Sequence, residues 1–163
     1  MTLSPSGRNY AAVALRYAQS VVVGDVPACQ WVRQAFQRQI NDLQRFKGRN
    51  APYRFNPVLT DSTGRKYRPA DNLCAFIELL PHIKGQLAGM PIVLEPWQVF
   101  VLTTAFGWVK KDGKRRFRRV YIEVPRGNAK STLSSAVGLY MLTADGEGGA
   151  ECYSLATTRD HDV

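Results

Sequence analysis

Between residues 8 and 23, apolar side chains recur at three- and four-residue steps (Tyr10, Val13, Ala14, Tyr17, Val21), the period of a helix with one buried face. Gly24-Asp25 interrupts this run, and Pro27 suits the first turn of a second helix. Across 27–46 the apolar stripe is Val32, Phe36, Ile40, Leu43 and Phe46, with Arg33, Gln37, Arg38, Gln44 and Arg45 off it. The two runs predict a helical hairpin. Residues 47–70, with Pro52, Pro57, Gly64 and Pro69, read as loop. A third helix is predicted over 71–80, capped by Asp71 or Asn72, with Leu73, Phe76, Ile77 and Leu80 on one face and Pro81 as its stop. Gly85, Gly89 and Pro91 loosen the next link. Glu95-Pro96 then opens a fourth helix to about Thr104, burying Trp97, Val101 and Phe100, and Gly107 ends it.

The period changes in the last third. Trp108–Lys111 and Lys114–Val124 are strand-like and flank Asp112-Gly113, a strong hairpin signal. The second run ends in the β-branched stretch Val120 to Val124 and enters a short loop closed by Lys130-Ser131-Thr132. A helical pattern follows, with Leu133, Val137, Met141 and Ala144 on one side. Gly146, Gly148 and Gly149 make a turn, and Glu151–Thr157 reads as another strand. A helix crossing between two strands implies a parallel pair. Parallel sheets are covered on both faces, and two strands do not make such a core. The fold class is therefore α/β: a helical region, 1–94, leads into the start of a P-loop nucleotide-hydrolase domain, 95–163, built as strand–loop–helix–strand. The chain reads as the truncated front of that domain, with a further helix due after Asp160.

Strand, loop and helix in this order form a phosphate cradle. Loop N–H groups and the helix N-terminus face an anion, and a Lys brings a mobile charge to β- and γ-phosphates. The following hydroxyl is suited to ligating Mg²⁺. The usual pattern, G-x-x-x-x-G-K-[ST], is met imperfectly. Val124 stands at its first Gly and Ala129 at its second, while Gly127 lies inside the loop. Ala129 must accept whatever φ the loop imposes, and a positive φ is costly for a residue with a Cβ.

Net charge sharpens the partner class. The chain carries +9, which suits nucleic acid, nucleotide or another acidic partner. Seven of the 22 basic residues lie between Lys110 and Arg119, whereas residues 145–163 hold five acids and one Arg. The cluster either meets DNA phosphates or is a solvated hairpin. Cys29, Cys74 and Cys152 form no C-x-x-C pair and read as small buried side chains in a reducing compartment. His82 and His161 have no partner at ligand spacing, and Asp160 and Asp162 read as helix-capping acids. No apolar run reaches the length of a membrane span, and no secretion signal precedes the first helix.

Four separated strings, in order, resemble the large terminase subunit of tailed double-stranded-DNA bacteriophages. They are Tyr17 through Leu43 with Val22-Val23-Gly24-Asp25; Phe76-Ile77-Glu78 with His82 and Lys84-Gly85; Leu94-Glu95-Pro96-Trp97-Gln98 followed by Phe106-Gly107-Trp108; and Ile122 through Ser131. Gly148-Gly149-Ala150-Glu151 and Ala156-Thr157-Thr158-Arg159-Asp160 extend the likeness. The last string resembles the terminase variant of the P-loop, with Arg126 four residues before Lys130; the family typically has Gly where Ala129 stands.

The resemblance implies ATP and Mg²⁺ as cofactors. Lys130 and Ser131 would hold phosphate and metal, and Thr132 would bond the α-phosphate or lie on the helix surface. Arg126 would contact the γ-phosphate, while Gly127, Asn128 and Ala129 would offer loop N–H groups. Gln98 resembles an adenine-reading glutamine, and Trp97 either packs on the base or fills the core. The implied role is the ATP-driven motor that packages double-stranded viral DNA in the bacterial cytoplasm, with the portal, the small terminase subunit and other large-subunit copies as partners. The water-orienting acid and the family's nuclease are expected after Val163, so this chain is expected to bind ATP without turning it over. The alternatives are a non-catalytic DNA- or partner-binding remnant, or another P-loop enzyme such as a helicase.

Overall fold

A computed structural model describes residues 7–155. Five helices carry the architecture: α1 (Tyr10–Val23), α2 (Gln30–Arg45), α3 (Pro69–Leu79), α4 (Pro96–Gly107) and α5 (Lys130–Thr143). Four short strands join them: β1 (Tyr53–Phe55), β2 (Leu59–Thr60), β3 (Lys66–Tyr67) and β4 (Trp108–Lys110). The predicted hairpin of α1 and α2 is present. Asn9 caps α1 by accepting the Ala12 N–H at 3.0 Å, and Gly24 closes it in the left-handed region. Two helix starts differ from the sequence reading. α2 begins at Gln30, after Cys29, and α3 begins at Pro69, so Asp71 lies in its first turn and caps nothing. Proline at the first helical position needs no N–H there.

α4 is the centre of the molecule. It is apolar nearly all round, and Val99, Phe100, Leu102 and Ala105 are buried against α1 and α3. The predicted face was shifted, since Trp97 and Val101 are only half-buried. Phe100 stacks on Phe36 of α2, with ring centroids 3.7 Å apart. α1 contributes Tyr10, Ala14, Ala18 and Val21, α3 contributes Leu73 and Ile77, and α5 contributes Leu133, Ala136 and Tyr140. Gly107, at the end of α4, is sterically required: a Cβ there would lie 2.9 Å from Cε2 of Phe55 and 3.2 Å from Cβ of Ala70.

A buried polar knot ties α3 to α1 and to the segments that precede α1 and α4. The Glu78 carboxylate on α3 accepts from the Tyr10 hydroxyl at 2.7 Å and the Leu94 N–H at 3.1 Å, and it pairs with Arg8. Burial raises the Cys74 thiol above its ordinary range and pushes Tyr140 up to about 12, although the Asn72 amide donates to its oxygen at 3.0 Å. Of the three cysteines, only Cys74 is buried; Cys29 and Cys152 are exposed, contrary to the expectation.

The sheet differs most from the sequence reading. β4 pairs antiparallel with β1, in the register Tyr53↔Lys110 and Phe55↔Trp108, and β2 pairs with β3. Segment 47–70, read as loop, thus supplies three strands. The Asp112-Gly113 turn forms, with Lys110 N–H donating to Lys114 O at 2.8 Å, but pairing stops at Arg115 and Arg116. Residues 117–124 and 151–155 lie outside any strand, so no parallel P-loop pair exists among the described residues. An isolated parallel strand leaves its N–H and C=O groups to water, and Val120, Tyr121, Tyr153 and Leu155 are all exposed. The expected helix after Asp160 and the readings of Asp160, His161 and Asp162 lie outside the described residues.

Candidate functional site

The loop predicted to cradle phosphate runs from Val124 into α5. Gly127 has φ +84° and Ala129, the residue before the helix, has φ +52° and ψ +28°. Ala129, whose φ the sequence leaves to the loop, takes a positive one, the costly case for a residue with a Cβ. A left-handed residue in front of a helix turns successive N–H groups toward one side, the concavity that receives anions. No side chain caps α5, so the first-turn N–H groups of Lys130, Ser131 and Thr132 remain available.

Lys130 Nζ folds back over the loop and donates to the Val124 and Pro125 carbonyls at 2.8 and 2.9 Å. Among the described residues its charge is met only by neutral oxygens. Asn128 Nδ2 donates to Pro125 O at 3.2 Å, which rounds the loop on itself. Gly127, Ser131 and Arg126 are exposed, and Thr132 is half-buried. Arg126 has no acidic partner among the described residues.

A cavity of about 800 Å³ opens beside this loop, between α4, α5 and segment 117–122. Trp97 and Lys130 both line it, with Val101, Ile122, Leu133 and Val137 among its apolar walls. Its far end is charged, where Arg115 and Asp145 pair at 2.5 Å. Tyr67 also lines the cavity, and burial followed by the Asp145 charge raises its pKa.

Gln98 is buried, and its placement was not foreseen. Glu95 and Gln98 form a reciprocal capping box, in which Gln98 Oε1 accepts the Glu95 N–H at 2.9 Å and the Glu95 carboxylate accepts in return. The E-x-x-Q spacing before an apolar run was the signal for it. The amide oxygen therefore has one lone pair engaged, and the NH₂ group keeps its donors.

Apart from Lys110, which ends β4 half-buried, the basic cluster divides into two sets. Arg115 pairs with Asp145 and lies 4.6 Å above the Phe106 ring; Arg116 pairs with Asp42 at 2.8 Å. Lys111, Lys114, Arg118 and Arg119 are exposed and make no ion pair among the described residues. Asp42 and Gln39, both buried on α2, were missed because they sit off the apolar stripe; Gln39 Oε1 accepts from Trp108 Nε1 at 2.7 Å. No group of metal-ligating residues and no helix long and apolar enough to cross a membrane occurs among the described residues.

Residues 96–162 match the family model described as the terminase large subunit, ATPase domain. No curated protein and no solved structure matches the chain. The matched span opens at the first residue of α4 and takes in Trp97-Gln98, the Asp112-Gly113 turn, the loop and α5. That part of the chain is similar to the ATPase domain of terminase large subunits.

Proposed function

We propose that residues 96–144 are the nucleotide-binding part of a DNA-packaging motor, with ATP phosphates on the 124–132 loop and the base toward Trp97. The observation that carries this is the shared cavity: Trp97, at the start of α4, and Lys130, at the start of α5, line one space beside an uncapped helix N-terminus. In this reading Lys130 exchanges its two carbonyl acceptors for β- and γ-phosphate oxygens, a stronger, charge-assisted pairing. The Gly127, Asn128 and Ala129 N–H groups complete the cradle. Ser131 offers its hydroxyl to Mg²⁺, Thr132 its hydroxyl to the α-phosphate, and Arg126 a free guanidinium to the γ-phosphate. Mg²⁺ bound with ATP would offset phosphate charge. Gln98 would read the adenine edge through its NH₂ group while its oxygen holds the helix start.

Phosphoryl transfer also needs an acid that orients water. The activity proposed for residues 96–144 is therefore nucleotide binding, with phosphate release by these residues alone expected only at background. In the motor reading, double-stranded viral DNA, the portal, the small terminase subunit and further copies of the large subunit are the partners, and the bacterial cytoplasm is the setting. The exposed Lys111, Lys114, Arg118 and Arg119 also favour a second reading, in which the chain is a DNA-binding module without nucleotide dependence.

Thermal unfolding with Mg·ATP separates the two. Nucleotide at about 100 times its Kd stabilises by roughly 2.7 kcal/mol, and Lys130→Ala should abolish that gain. An equal response of both proteins to millimolar nucleotide would leave only the DNA-binding module.

A further inference from the structure

Segment 117–129 reaches the loop without a ladder to hold it. Upstream of it, the last backbone hydrogen bond to the body is Arg116 N–H to Trp108 O, at 2.9 Å. The Arg116 side chain, however, is deeply engaged. Its guanidinium lies 4.6 Å from the Tyr53 ring centroid, 4.9 Å from Phe117, 5.2 Å from Trp108 and 5.3 Å from Phe46. Its Nη1 is 2.8 Å from Asp42 Oδ2, an ion pair whose angle is poor for a hydrogen bond. The rings come from β1, β4, the end of α2 and the segment itself. A planar cation suits such a cage better than an ammonium does.

We propose that Arg116 is a positioning residue for the phosphate loop: the four-ring cage and Asp42 fix the point from which 117–129 departs, and so set the loop against the helical body. Arg115, the preceding residue, braces the same point against Asp145, just past the end of α5, and Phe106 of α4. Two of the seven cluster arginines and lysines are thereby used internally. The functional consequence rests on the nucleotide-binding reading above, but the placement does not.

The test measures placement first. With Cys29 and Cys152 replaced by Ser, spin labels go on Leu15→Cys of α1 and Tyr121→Cys of the segment, both exposed positions. In the otherwise native protein the distance distribution between them should be narrow. Arg116→Gln should broaden it at least about twofold, and Arg116→Lys, which keeps the charge but not the plane, should fall between. Helical circular dichroism should be retained in both. The Kd for Mg·ATP should rise about tenfold in Arg116→Gln and less in Arg116→Lys. A distribution unchanged in both variants overturns the proposal. If no protein binds nucleotide but the distribution still broadens, the positioning role stands and the nucleotide reading falls. Should Arg116→Gln lose its helical signal, Arg116→Lys decides, and a native distribution in that variant overturns the role.

Discussion

The α1–α3–α4 body and the 117–129 segment obey different rules, although they meet in one cavity. In the body, each apolar face finds its partner a few tens of residues away, and Glu78 holds Tyr10, Arg8 and the Leu94 N–H together. In the segment, the apolar residues Val120, Tyr121 and Ile122 are exposed, and the loop's hydrogen bonds are made mostly to itself. The body is held by packed apolar faces, whereas the segment keeps exposed donors and charge.

The contrast breaks most visibly under truncation to Ala. Phe100→Ala removes the ring stacked on Phe36 and should cost about 3–5 kcal/mol, read by urea unfolding. Tyr121→Ala, at a side chain that is 86% exposed, should stay within about 0.5 kcal/mol. Similar costs at the two sites would mean that the segment is packed as tightly as the body.

Backbone strain gives a smaller effect. Ala129 holds φ +52°, and that strain burdens folding. A left-handed non-glycine residue costs roughly 1–2 kcal/mol, and glycine returns about half of that as chain entropy. Ala129→Gly should therefore raise the melting temperature by a few degrees and leave the Kd for Mg·ATP within about twofold. A large gain in affinity would instead show that Ala129 impedes the bound loop.

The smallest effect is electrostatic and lies in the body. Burial raises the Asp71 pKa above its ordinary 3.8, despite the opposing Asn56 hydrogen bond and Arg68 charge, and its Oδ1 has no partner. A raised folded-state pKa means that the protonated carboxyl favours folding. That contribution is complete below the unfolded value and is lost as pH climbs through the folded one. Asp71→Asn should melt slightly higher at pH 7, and the difference should vanish by about pH 3. A constant difference across that range would place its cause in packing.

What was legible follows the range of the interactions. α1, α2, α4 and α5 are visible because a 3.6-residue period is local, and the loop before α5 is visible because Lys130-Ser131-Thr132 closes it where a helical pattern starts. β1 was not visible: Tyr53-Arg54-Phe55 sits among prolines and gains its identity only by pairing with Trp108–Lys110, more than fifty residues away. Val120–Val124 failed in the other direction. Its β-branched run has strand propensity, but a strand exists only with a neighbour, and 151–155 does not supply one. The loop and the helix start at Lys130 are legible from spacing, whereas the Arg116 cage is not, because its rings come from four separate elements.

Amide and indole NMR spectra of ¹⁵N-labelled protein titrated with Mg·ATP test the division between body and segment most directly. The account predicts shifts concentrated at residues 124–133 and at the Trp97 indole, with the amides of α1 and α3 unmoved. Shifts confined to the basic turn at 110–119, or spread through α1 and α3 without the loop, would contradict it.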